Sequence, residues 1–285
     1  MKDTLVLYHA DCPDGFGAAY AAWRALGDRA DYLPCQHGGA VPAVAGRDVF
    51  ILDFAFDADV MTRLRAEARS ITLLDHHQTA HDKLQCLHCG PGFSLLFDMQ
   101  RSGAHLAWAH FHPGQPVPHL ISRIEDRDLW DWAYPDTRPF LAALDALDFD
   151  FEQWARFHEA AEDPAQRAQI VARGQAVVDR FAQQVQTLAE GAFPLDFMGH
   201  RVWAVNAPSE FTSDLGNVLA ERSGTFGVIF RIDSPTVVKV SLRAVRPFDA
   251  SALAVPFGGG GHPQACAFRL GLAQLPALLD GSLRP

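Results

Sequence analysis

Four short apolar runs constrain this chain most: Thr4 to Tyr8 (TLVLY), Val49 to Leu52 (VFIL), Ile71 to Leu74 (ITLL) and Phe93 to Phe97 (FSLLF). Each is nearly continuous in apolar residues rather than alternating, the pattern of parallel strands covered on both faces. Helix-like stretches separate them: Gly15 to Leu26 (GFGAAYAAWRAL), Ala58 to Ala68 and Ala104 to Phe111. Strand and helix in alternation predict an α/β domain built on a mostly parallel sheet flanked by helices.

The prolines between Pro113 and Pro118 interrupt this pattern, and helical sequence resumes towards Ile124 and on to about residue 160. Pro164 then opens a long stretch with apolar residues at 170, 171, 177, 178, 181, 185 and 188. That spacing leaves a single apolar stripe, which predicts a connecting helix ending at Gly191. Beyond it come a strand-like HRVWAVN (200 to 206), a helix from about 213 to 221, and a hairpin of TFGVIFRI and TVVKVSLRA around Asp233-Ser234-Pro235. The expected plan is a domain over 1–160, a linker helix over 161–191, and a smaller α/β domain over 192–285.

Composition narrows the functional classes. The hydrophobic share of 48% is enough for a packed core, and five scattered cysteines (12, 35, 86, 89 and 266) suit a reducing cytoplasm better than a disulfide framework. No apolar run reaches membrane-spanning length, and MKDTLVLYHADC does not read as a signal peptide. The formal charge of -10 argues against a grip on long duplex nucleic acid, which usually needs a basic face. Any anionic ligand must therefore find local cations.

The ends of the apolar runs supply the chemistry. His9 follows the first run, Asp53 the second, and Asp75-His76-His77 the third. In open parallel sheets ligands bind outside the carboxyl ends of the strands, so three segments deliver these groups to one edge. His9-Ala10-Asp11-Cys12-Pro13-Asp14 adds two acids, and Glu125, Asp126 and Asp128 follow an apolar helix. Carboxylates so crowded raise one another's pKa unless cations neutralise them. Mixed oxygen and imidazole donors suit Mn²⁺, Mg²⁺, Fe²⁺ or Zn²⁺, with Mn²⁺ favoured by the oxygen share. Two cations sharing a carboxylate would activate water and clamp a phosphate undergoing displacement.

A second constellation lies near the end of the chain. Gly258-Gly259-Gly260-Gly261-His262 lets the backbone approach an anion closely and present its N–H groups, with His262 behind them. Arg243, at the end of a predicted strand, is a second anion candidate. With both in the smaller domain, substrate is expected in a cleft between domains.

These motifs resemble those of the DHH phosphoesterases, the family of RecJ, nano-RNases and cyclic-dinucleotide phosphodiesterases. Asp75-His76-His77 reproduces the motif that names the family, and the glycine run with His262 resembles its associated C-terminal domain. The resemblance spans nearly the whole chain. It implies that Asp53 bridges two metals, with His9 at one and Asp14, His76 and Asp126 at the other. It implies His77 as a support or substrate contact, alongside a catalytic group of Asp53, Asp75 and His76. Arg243, Gly259, Gly260, Gly261 and His262 would hold the phosphate that does not react. Asp126 is preferred to Asp128 because it precedes Trp130 by four residues, as the family's acid precedes an aromatic. The first metal site departs from the family spacing, and either Asp11 or the Cys12 thiolate could complete it.

The expected activity is metal-dependent hydrolysis of short nucleotides, such as linear dinucleotides (pGpG or pApA) or short oligonucleotides, by a cytoplasmic protein that could form a homodimer. A polyphosphatase or pyrophosphatase is the rival enzyme, and a non-catalytic nucleotide sensor the rival of another class. Cys86 and Cys89 are expected to be ordinary loop residues without zinc, Trp130 and Trp132 core residues, and histidines 105, 110, 112, 119 and 158 surface residues. Asn206, Ser102 and Gly103 are weaker candidates beside the cleft.

Overall fold

The computed structural model describes residues 2–36 and 38–285 and divides into two compact units, 1–178 and 179–285. The first holds strands β1 (Thr4–His9), β2 (Ala30–Cys35), β3 (Asp48–Leu52), β4 (Ser70–Asp75) and β5 (Phe93–Phe97). All pair in parallel, in the order β2-β1-β3-β4-β5. Its helices are α1 (Pro13–Leu26), α2 (Ala58–Glu67), α3 (Gln78–Leu84), α4 (Gly103–Phe111), α5 (His119–Asp128), α6 (Thr137–Leu144) and α7 (Phe151–Glu162). The α/β class and the parallel sheet predicted from the apolar runs are observed.

Period-two alternation sorts the strands between two cores. Val6, Leu52 and Leu74 face α1, α4, α5 and α7, while Leu5, Leu7, Ile51 and Leu73 face the α2–α3 side. Because both faces are covered, no polar alternation is left to read in the sequence. Residues 15–22 of α1 are buried without exception, and all but Phe16 and Tyr20 are Gly or Ala, which lets that helix lie close against the sheet and α4. Each fully buried Leu or Ile contributes about 2 kcal/mol. Several together offset the few kcal/mol effective penalty of each dry carboxylate described below.

The helix α8 (Pro164–Glu190) crosses from one unit to the other. Ile170 packs in the core of the first unit, and Val185 and Ala189 pack in the second. The second unit contains β6 (Phe193–Phe197), β7 (His200–Asn206), α9 (Thr212–Ser223), β8 (Phe226–Ser234), β9 (Val237–Ala244), α10 (Ser251–Ala254), β10 (Gly260–His262), β11 (Ala265–Gly271) and α11 (Leu275–Leu279). The sheet order is β10-β11-β9-β8-β7-β6, antiparallel except for β7 with β8. The expected hairpin forms from β8 and β9, with a register shift between Ile232 and Ser234. Val238, Val240 and Leu242 point into one core, and α9 lies against the other face of β7, β8 and β9. No helix among the described residues is long and apolar enough to cross a membrane.

Candidate metal centre and anion-binding face

The first sheet reverses its direction of growth between β1 and β3, and that crevice is where such sheets bind ligands. His9 ends β1, Asp53 follows β3, and Asp75 ends β4. Asp53 adopts a left-handed φ of 62°, which Asp tolerates better than most residues. Gly103 makes room for it: a Cβ there would lie 2.5 Å from the Asp53 Cβ and 2.7 Å from its Oδ1.

Around Asp53 the groups converge. His76 Nε2 lies 3.2 Å from Asp53 Oδ1, 3.6 Å from Asp14 Oδ2 and 3.5 Å from Asp128 Oδ2. His9 Nδ1 lies 3.4 Å from the other Asp53 oxygen. Three overlapping donor groups result: His9, Cys12 and Asp53; Asp53, His76 and His77; and Asp14, His76 and Asp128.

Electrostatics makes this cluster expensive without a cation. Burial, then the Asp53 and Asp128 charges, push the Asp14 carboxyl well above its ordinary range. Burial and the Asp53 charge likewise raise Asp128. Asp53 is also desolvated, but contacts with His76 and His9 outweigh that and bring it down to about 2. The Asp53 carboxylate, 3.4 Å from its Nδ1, and then Cys12 lift His9 to about 10. His77 is raised chiefly by Asp75, whose Oδ1 meets its Nδ1 at 2.7 Å. Thus Asp53 keeps its charge beside imidazoles that hold their protons more tightly, while Asp14 and Asp128 are pushed towards the neutral form.

The residues fit divalent cations. Asp53 is 1% exposed, yet neither of its carboxylate oxygens has a partner in hydrogen-bond geometry among the described residues. Buried oxygens rarely go unsatisfied, and those that do call for an unplaced water or ion. Carboxylate and imidazole donors on opposite sides of Asp53 suit a borderline or hard cation, and Cys12 adds a softer donor on the His9 side.

Supporting groups hold the donors in place. Asp14, in the first turn of α1, accepts from Gly103 N at 2.6 Å and Ala104 N at 3.0 Å. Its carboxylate therefore sits on the first N–H groups of α4, where the helix dipole favours an anion. Glu125 fastens this junction by accepting from Ser102 N and Arg101, with His105 Nδ1 2.9 Å away. Asp75, fully buried, accepts from the His76 and His77 backbone as well as the His77 ring.

Several expectations need correction. Asp126 does not face the cluster: its carboxylate accepts from Ala133 N, Tyr134 N and the Thr137 hydroxyl, and Asp128 stands beside His76 instead. Asp11 also turns away, with φ 54° and its Oδ2 accepting from Gln36, while Cys12 joins His9 and Asp53. Trp130 is no core residue; it is 60% exposed, and Trp132 meets it edge to face at 5.0 Å. His112 and His158 are buried, bonded to Ala21 O and Tyr20 Oη respectively. Cys86 and Cys89 are exposed and lie in no donor cluster among the described residues.

The glycine run sits in the second unit. A Cβ at Gly259 would lie 2.3 Å from Ala267 O, and one at Gly261 2.5 Å from Ala265 O, so only glycine lets β10 lie against β11. Arg243 and Gly260 line one cavity of about 360 Å³, and Gly259 and Gly260 line a neighbouring one of about 380 Å³. His262 belongs to the same cross-strand row as Arg243, through Ala265, but lines neither. Asn206 is spent on Phe230 O.

Comparison with known families finds no match. The chain is 27% identical over 290 residues to the uncharacterised protein R106 of Acanthamoeba polyphaga mimivirus, covering 92% of this chain. It spans 66% of that relative, just under two thirds of its length. Among solved structures it resembles PggH, a pGpG-specific phosphodiesterase of Vibrio cholerae, at 11% identity and TM-score 0.52, covering 96% of this chain and 94% of that one. It also resembles RecJ of Thermus thermophilus, solved with Mn²⁺, at 15% identity and TM-score 0.51, covering 96% of this chain and 50% of that one. The fold is DHH-like.

Proposed function

We propose that this chain is a metal-dependent phosphoesterase of the DHH type that hydrolyses short nucleotides. The observation that carries the reading is Asp53: a dry carboxylate with both oxygens unsatisfied, ringed by His9, Cys12, Asp14, His76 and Asp128. On this reading His9, Cys12 and Asp53 would hold one cation, and Asp53, Asp14, His76 and Asp128 would hold the other. Such ions, when bound, supply a Lewis acid for phosphate oxygens and lower the pKa of water.

The chain's own side chains do the rest. Asp75 fixes the His77 tautomer by taking its Nδ1, which leaves Nε2 to hold a proton or meet a phosphate oxygen. Gly103 and Ala104 keep Asp14 from swinging into solvent. Arg243, hydrogen-bonded to Ser213 Oγ at 3.2 Å, provides a fixed guanidinium for the phosphate that does not react.

The nucleotide reading over a polyphosphatase is supported by Trp130. Its indole is 60% exposed, and its φ of 62° is unusual for a bulky residue. Asp126 pins the following turn, and Asp128, two residues earlier, belongs to the donor cluster. An exposed aromatic held beside a phosphate-processing centre suits a stacked base, which an inorganic polyphosphate lacks. The test is hydrolysis of pGpG, pApA, 3′-phosphoadenosine 5′-phosphate, cyclic dinucleotides and polyphosphate with Mn²⁺. Chelator-sensitive turnover of a linear dinucleotide is expected. Turnover of polyphosphate alone would replace this reading with its rival, and turnover of nothing would remove it.

A further inference from the structure

The two halves of the donor cluster are chemically unlike. Asp53 turns one oxygen to each: Oδ2 lies 3.4 Å from His9 Nδ1, and Oδ1 lies 3.2 Å from His76 Nε2. On the His76 side the remaining donors are the Asp14 and Asp128 carboxylates and the imidazole itself, all hard or borderline. On the His9 side Cys12 Sγ completes the group, within 4.8 Å of the His9 and Asp53 donor atoms. Asp11 offers no second carboxylate there, since its side chain turns towards Gln36.

The turn that carries the sulfur is shaped to aim it inward. Cys12 is the N-cap of α1, a position where Ser, Thr, Asp or Asn would bond the helix N–H groups. Its side chain makes no such bond, and Pro13 behind it has no N–H to offer. The thiol meets His9 instead. Gly15 folds the turn back over that histidine, since a Cβ there would lie 2.3 Å from His9 O and 2.7 Å from His9 Cβ. Phe16 N then donates to Cys12 O at 2.9 Å and closes the first turn of the helix. A cysteine alone would mark nothing. This one stands beside Asp53, which is 1% exposed and has neither oxygen satisfied among the described residues.

We propose that the centre holds two unlike ions. His9, Cys12 and Asp53 Oδ2 select a sulfur-binding divalent cation of the Zn²⁺, Fe²⁺ or Co²⁺ kind, while Asp14, His76, Asp128 and Asp53 Oδ1 keep Mn²⁺ or Mg²⁺. The usual affinity order puts Zn²⁺ above Mn²⁺ wherever such donors meet, so affinity alone would not sort the ions. The thiolate widens the gap on one side only, and a limiting supply of the softer ion therefore settles beside Cys12 first. Binding forms the sulfur–metal bond and releases the thiol proton to solvent. Three protein donors leave a tetrahedral ion one open position, as catalytic zinc sites do. Mn²⁺ supplied alone still fills both places. The inference rests on the proposed two-cation reading and adds to it which ion goes where.

The test is a Co²⁺ titration of the chelator-treated full chain, carrying Cys86→Ser and Cys89→Ser so that those exposed thiols take no ion. The first equivalent is expected to raise a near-ultraviolet sulfur-to-cobalt charge-transfer band. Cys12→Ser should abolish the band, and Cys12→Asp should bind Co²⁺ without it. Melting curves check that each variant folds. Competition on the Mn²⁺-loaded chain gives a second readout, in which the first Zn²⁺ should release one Mn²⁺ of the pair. The preference of that site for Zn²⁺ over Mn²⁺ should fall about 10–100-fold in Cys12→Asp, the range that even a supporting partner produces. Cobalt bound without the band, a band that survives Cys12→Ser, or an unchanged preference in Cys12→Asp overturns the inference. If one of these is found while a coupled Mn²⁺ pair forms and a linear dinucleotide is cut, the mixed-metal assignment falls alone. If the band depends on Cys12 and nothing is cut, the proposed function falls alone.

Discussion

At the carboxyl end of the first sheet, acids and imidazoles are drawn into a space almost closed to water; on the second sheet, Lys239 and Arg243 line a cavity beside α9. Asp14, Asp53 and Asp75 are each at most 1% exposed, whereas Lys239 and Arg243 are only partly covered. A buried carboxylate is held only if something compensates it. In the first unit that role falls to imidazole protons and, on the proposed reading, to metal ions. A partly covered cation costs less, because water still screens it. On the proposed reading, the contrast separates a centre that generates reactivity from a surface that orients a charged substrate, and it would reconcile an acidic protein with an anionic ligand.

The sharpest break in that comparison is Asp53→Asn. Asn tolerates the left-handed backbone at position 53, so the fold should survive while the shared carboxylate charge is lost. Losing several kcal/mol of Lewis-acid stabilisation corresponds to a drop in kcat/KM of about a thousandfold. A variant within threefold of wild type would show that Asp53 does not organise the centre.

Next is the pair Asp126→Ala and Asp128→Ala. Asp128→Ala is expected to cut activity by about a hundredfold with an unchanged melting temperature, since it removes a donor from the cluster. Asp126→Ala strands Ala133 N, Tyr134 N and the Thr137 hydroxyl, and should destabilise the fold by about 2–4 kcal/mol. Thermal melting and turnover measured on both variants decide between them, and the reverse pattern would restore Asp126 to the centre.

These two acids also mark where the sequence stops being legible. His9, Asp53 and Asp75 could be placed because each interrupts an apolar run, and a parallel strand must deliver its next residue to the ligand-binding edge. Asp126 and Asp128 lie two apart on α5 and so on nearly opposite sides, with nothing local to show which side packs. Cys12 and Asp11 pose the same problem in a turn, settled by the positive φ of Asp11. The strand β2, ADYLPC, escapes notice because it is an edge strand that tolerates Asp31 and Pro34. Ser102 and Gly103 read as no more than weak contacts beside the cleft, since their work is to let Asp53 and Asp14 approach a helix start from distant segments.

Smaller effects refine the same contrast. Asp75→Asn leaves every proposed metal donor in place but loosens the His77 tautomer, and should lower kcat by about 10–100-fold with little change in metal affinity. Loss of metal binding would make Asp75 part of the cage. Trp130→Ala should weaken binding of a base-bearing substrate by about tenfold, the lower range of base stacking, and leave binding of tripolyphosphate unchanged. Equal losses for both ligands would mean that the indole shapes the loop and touches no base.

The most direct test is a titration of the chelator-treated protein with Mn²⁺ followed by electron paramagnetic resonance. The account predicts two ions per chain with the signal of a spin-coupled pair, and loss of that coupling in Asp53→Asn. A chain that binds no Mn²⁺, or an Asp53→Asn variant that still holds the coupled pair, would contradict it.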